Sequence, residues 1–152
     1  MKRLTLYILC SALLLSAGGM IYVLFREEEL LLYTFANHIG LGGVVMQLRG
    51  SLPSVHLPLW IANSIPDGLW SASYVLLMHG MMRPLGPRAQ LYWASIIPSL
   101  GVISELLQGM GLLPGVFDTT DLLCYIIPYA IYYLIIMTNK QTHHGQRIGE
   151  IT

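Results

Sequence analysis

The sequence predicts an all-α, polytopic membrane protein with about four transmembrane helices and a re-entrant or interfacial segment after the first. Three observations carry that expectation. Of 152 residues 55% are hydrophobic and 11% charged, with a mean hydropathy of +0.61, so little polar surface remains to face water. The apolar runs are long enough to cross a bilayer, and the charged residues stand between them as flanks. Trp60, Trp70, Tyr92 and Trp93 lie near the predicted span ends, where amphipathic rings favour the headgroup region.

The first span is expected from Leu4 to Phe25, after Lys2 and Arg3 and before Arg26 and the acidic run Glu27, Glu28 and Glu29. A cleaved signal peptide is the rival reading, because Ala17, Gly18 and Gly19 are small enough for a processing site; the apolar run is longer than the usual signal core. From Leu30 to Leu59, apolar pieces are broken by Asn37, His38, Gly40, Gly42, Gly43, Gln47, Arg49 and Pro53. Polar groups at that density are costly in lipid, so an interfacial or re-entrant segment is expected, with a fifth span as the alternative.

The second span is expected from about Asp67 to about Met82, ending at Arg83, Pro84, Pro87 and Arg88. The third should run from about Leu91 to Gln108, with a kink at Pro98, and the fourth from Asp121 to Met137, with a kink at Pro128. One domain over residues 1–138 and a polar tail over 139–152 follow. An amino terminus in the cytoplasm puts Lys2, Arg3, Arg83, Arg88, Lys140 and Arg147 inside, leaving only Arg26 and Arg49 outside, as the positive-inside rule favours. Both termini are then cytoplasmic, in an inner (plasma) membrane.

Net charge is zero, so no basic field invites nucleic acid, and membrane lipids are the expected surroundings. Cys10 and Cys124 fall within predicted spans without metal-type pairing and read as apolar fillers. No phosphate loop, GxSxG or HExxH is present, and neither a metal nor a cofactor is expected. His79 in the second span reads as a packing residue, and His143 and His144 fall in the tail.

The polar residues that stand out are Asn63, Asp67, Trp70, Glu105, Gln108, Asp118 and Asp121, at the same ends of spans two, three and four. Glu105 and Gln108 are three apart and share a helix face, and Asp118 and Asp121 share that spacing across the start of the next helix. A carboxylate near hydrocarbon needs a partner. One aspartate can act as an N-cap. Capping does not account for Glu105, which lies where the helix dipole opposes an anion.

The stretch Ser104-Glu105-Leu106-Leu107-Gln108, followed by Phe117-Asp118-Thr119-Thr120-Asp121 opening the last helix, resembles the VanZ-like membrane proteins. In them an ExxQ helix end leads through a loop with an aspartate pair to a closing helix. The segment from Asn63 to Trp70 also looks like the start of a middle helix in many of them. The resemblance covers the second half of the chain. That family often has an arginine three residues before the first aspartate and an asparagine four after the second. Here those positions are Gly115 and Tyr125, so the acidic pocket needs another cation, such as Arg49, a bound ion or a ligand.

The resemblance implies a protein of the cell envelope that engages a lipid-linked or glycan component, or a teicoplanin-type glycopeptide in antibiotic resistance. A membrane protein partner is a further candidate. A membrane-embedded enzyme with Glu105 and Asp118 sharing proton transfer, or a small ion-coupled transporter, is the alternative.

Overall fold

Six helices make up the chain in a computed structural model, which describes residues 2–26, 31–51 and 57–149, with side chains except at 31–33 and 139–149. They are α1 (Lys2–Phe25), α2 (Leu31–His38), α3 (Gly42–Ser51), α4 (Leu59–Met82), α5 (Pro87–Gly109) and α6 (Thr119–Gly149). A single 3₁₀ turn, Arg83–Leu85, joins α4 to α5. No strand occurs among the described residues.

Small residues bring α1 and α4 together. Ser73 donates from Oγ to the Ser11 carbonyl at 2.8 Å, and the two hydroxyls lie 2.9 Å apart. Gly18 lies against Trp70, and Gly80 against the Tyr7 ring. Numbers fall along α1 as they rise along α4, so the pair is antiparallel. Close approach through Gly and Ser is how helices associate when neither gains by leaving water. The turn at Gly86, whose φ of 89° suits glycine, then reverses the chain. Tyr74 Oη donates to the Trp93 carbonyl at 2.8 Å, and Tyr129 Oη to the Leu91 carbonyl at 3.3 Å. These contacts set α5 antiparallel to both α4 and α6, and the contacts Ser71–Tyr125 and Gly68–Cys124 set α4 parallel to α6. The result is four long helices with α4 central.

Inside and outside are distributed unlike those of a water-soluble bundle. Ser11, Ser64, Ser71, Ser73, Gln90 and Glu105 are buried, while Leu13 is 70% exposed and Leu134 61%. Two helical stretches, Lys2–Phe25 and Thr119–Thr138, are long and apolar enough to cross a membrane, and 11% and 6% of their most apolar windows are buried. A core helix of a soluble domain would be mostly covered, so these two helices suggest a membrane location.

Several boundaries differ from those expected. The second long helix begins at Leu59, eight residues before Asp67, and passes through Pro66, which is fully buried. The third begins at Pro87, a residue suited to the first turn, and the last continues in backbone to Gly149. Helix is maintained through Pro98 and Pro128. In the segment after α1, the eight residues of α2 and ten of α3 are each too short for a hydrocarbon core of roughly 30 Å. They are separated at Gly40, whose φ is 78°. Glu27, Glu28, Glu29 and Pro53 lie outside the described residues, as do the side chains of Lys140, His143, His144 and Arg147.

Candidate functional site

Antiparallel pairing sorts charge to the two ends of the bundle. Lys2, Arg3 and Arg83 line one cavity at one end. Asn63, Asp67, Glu105, Gln108, Asp118 and Asp121 belong to the other, and there the last helix starts.

The last helix starts on Asp118. Its Oδ1 accepts from the Thr120 amide at 2.7 Å and its carbonyl from the Leu122 amide at 3.1 Å, which is N-cap geometry. Glu105, 5% exposed near the end of α5, accepts the Asp118 amide on Oε2 at 3.3 Å and so ties α5 to the start of α6. Gln108 donates to Ser104 Oγ at 3.4 Å, and its amide rests on Gly115, where a Cβ would strike it and where φ is 135°. The ExxQ pattern thus holds the connection between α5 and α6.

Asp67 and Asp121 face inward between α4, α5 and α6. Asp67 shares a side-chain hydrogen bond with Tyr125 and lies within electrostatic reach of Asp121, Glu105 and Arg26. Tyr125 reaches it because Gly101 has no side chain: a Cβ there would land in the tyrosine ring. Arg26, just past α1, donates from Nε to Asn63 Oδ1 at 3.3 Å and stacks its guanidinium over Tyr22, 4.8 Å from the ring centre. Arg49 of α3 serves that same end of α1, donating to the carbonyls of Val23 at 2.8 Å and Arg26 at 2.6 Å. The charged group facing Asp67 is therefore Arg26, whose own carbonyl is held by Arg49.

Two buried oxygens here have no hydrogen-bond partner: Asp121 Oδ1 and Ser64 Oγ. The register that brings Gly68 to Cys124 and Ser71 to Tyr125 brings Ser64 level with Asp121. Both lie in the gap between α4 and α6, where an unmatched polar atom is costly unless something else bonds it.

Of the residues picked out in the sequence, Asn63, Asp67, Glu105 and Asp121 come together, with Asp118 and Gln108 at the margin as cap and brace. Trp70 stands apart, on the α1 side of α4, donating to the Leu15 carbonyl at 3.3 Å and stacked near Tyr22. Arg26, Tyr125 and Ser64 join the cluster and were not picked out. Tyr125 had a signal, since it lies one turn after Asp121 on the same face. No group of three His, Cys, Asp or Glu side chains among the described residues converges as metal ligands. Cys10 and Cys124 are both free thiols.

His79 is the centre of a second polar network, toward the basic end. Gln90 Nε2 donates to the His79 carbonyl at 3.1 Å and lies 3.4 Å from Nδ1, while Tyr132 Oη is 3.2 Å from Nδ1 and Tyr7 Oη 3.3 Å from Nε2. One residue from each of the four long helices therefore meets at this ring. Comparison with protein-family models, curated proteins and solved structures finds no match for this chain.

Proposed function

We propose that this chain is a VanZ-like, four-span protein of the cell envelope, whose acidic end binds a polar envelope component through Asp67, Asp121 and Glu105. The observation that carries the reading is the pair of buried, partnerless oxygens, Asp121 Oδ1 and Ser64 Oγ, at the level of α4 and α6 where Asp67 stands. A ligand with hydroxyl or ammonium donors, such as a glycan or a glycopeptide, satisfies both atoms and balances the carboxylates that Arg26 faces.

The departures from the family pattern support the same site. Gly115 stands where the family often has arginine, and Arg26 brings a guanidinium from α1 to Asp67. Tyr125 stands where it often has asparagine, and its hydroxyl bonds Asp67. On this reading the membrane is an inner (plasma) membrane, with both termini cytoplasmic and the acidic end outward, as the positive-inside rule favours.

The test is complementation of a deletion strain at matched membrane levels, scored for teicoplanin sensitivity and envelope integrity. Asp121→Asn and Asp67→Asn are expected to fail while the protein accumulates, and Asp118→Asn, which still caps, is expected to complement. Full complementation by the first two would end the reading. Proton- or ion-driven flux through the purified protein in liposomes would replace it with a carrier.

A further inference from the structure

Two cavities share Tyr7 as a wall, one lined mostly by apolar side chains and the other carrying basic ones. The first, about 630 Å³, is a groove between α1 and α6 with α4 as its floor. Ala72, Val75 and Leu76 form the floor, with Leu14 on one side and Ile131 and Ile135 on the other. On α4 the groove runs from Ala72 to His79 and on α6 from Ile127 to Ile136, or roughly 10 to 14 Å at 1.5 Å per residue. That is close to one leaflet's share of a hydrocarbon core of about 30 Å. The second cavity, about 770 Å³, opens at the basic end and is lined by Lys2, Arg3 and Arg83, with no acidic residue among the described residues of its walls.

Tyr7 lines both. Its hydroxyl also has a proton to give. Gln90 Nε2 and Tyr132 Oη both approach His79 Nδ1, and the amide nitrogen has only protons to offer, so Nδ1 accepts. Nε2 then carries the ring proton and donates to Tyr7 Oη, leaving the tyrosine O–H unused.

We infer that the groove between α1 and α6 and the basic cavity beyond Tyr7 form one site for an anionic phospholipid, its chain in the groove and its phosphate among Lys2, Arg3 and Arg83. Charge complementarity selects the headgroup: three cations, with no carboxylate among the described residues of the walls, face the membrane surface, where an anionic phosphate is the available partner. The free Tyr7 hydroxyl lies at the junction, level with a glycerol ester carbonyl that can accept it. The inference rests on the four-span membrane reading and is independent of the acidic end.

Native mass spectrometry of the purified full-length chain, inserted in nanodiscs and then released, tests it with phosphatidylglycerol, phosphatidylcholine and glycerol phosphate as probes. Wild type is expected to retain phosphatidylglycerol over phosphatidylcholine. Arg3→Gln with Arg83→Gln should lower phosphatidylglycerol retention roughly 25-fold, at about fivefold for each charge. Ile131→Trp, at a wall position 54% exposed and so outside the core, should reduce retention of both lipids. Equal retention of the two lipids by wild type, or indifference to the arginine changes, overturns the inference while leaving the membrane reading in place. Displacement of phosphatidylglycerol by equimolar glycerol phosphate overturns it in favour of a free-phosphate site. Failure to insert into nanodiscs overturns both.

Discussion

Replacing Gly101 with alanine offers a test of the α5–α6 contact in which two physical effects have opposite signs. In an open helix the change stabilises by about 1 kcal/mol, because alanine restricts the unfolded chain and favours helix. At Gly101 the added Cβ would fall in the Tyr125 ring, so either the ring swings away from Asp67 or the helices part. Overpacking of that kind costs about 1 to 3 kcal/mol, and loss of a hydrogen bond to a carboxylate costs about 1.5 to 3 kcal/mol when nothing replaces it. The expected net is destabilisation by about 0 to 2 kcal/mol once the gain of about 1 kcal/mol is subtracted. Tyr125→Ala removes the obstacle, so in that background Gly101→Ala should stabilise by about 1 kcal/mol. A double-mutant cycle, read as unfolding midpoints of the purified protein in mixed micelles, measures the difference as a coupling of about 1 to 3 kcal/mol. If alanine stabilises equally in both backgrounds, Tyr125 does not occupy the space above Gly101, and the route by which its hydroxyl reaches Asp67 is wrong.

Asp118→Ala should destabilise by about 1 kcal/mol through loss of the cap, and Asp118→Asn or Asp118→Ser by only a few tenths, in the same unfolding assay. Ser73→Ala should weaken the α1–α4 pair by about 0.6 to 1.7 kcal/mol, and Ser73→Gly should not do better, since both lack the hydroxyl shared with Ser11. Arg49→Ala should speed amide exchange in α3 more than in α5, because its bonds to the Val23 and Arg26 carbonyls join α3 to α1.

How far the sequence revealed these arrangements depended on whether the deciding contact was local. The long apolar helices and the placing of basic and acidic residues at opposite ends follow from runs, whereas the bond from the Asp118 amide to Glu105 crosses a loop and has no local signal. The early start of α4 was hidden because Asn63 and Pro66 look like breakers. Pro66 is instead buried inside the helix, where neighbouring helices tolerate the missing donor. Arg26 reads as an ordinary flank of the first span. Only the docking of α1 on α4, decided by Ser11, Gly18 and Gly80 meeting Ser73, Trp70 and Tyr7, carries it to Asn63 and within reach of Asp67. Trp70 reads as a site residue because it stands three positions from Asp67, but its ring packs against α1, beside Gly18 and Tyr22.

The central position of α4 has a consequence for biogenesis. It carries the buried Ser64, Ser71 and Ser73 and the partly buried Asp67 and His79 along its length, and on the four-span reading it is the helix least able to enter a bilayer alone. Its hydroxyl at Ser73 is matched by α1, which is synthesised first and is long and apolar enough to wait in the membrane. The hairpin of α1 and α4 is therefore the smallest unit in which α4 is lodged with its Ser73 hydroxyl matched. Released chains that end near Gly86 should remain membrane-held, and chains that lack α1 should leave α4 to quality-control proteolysis.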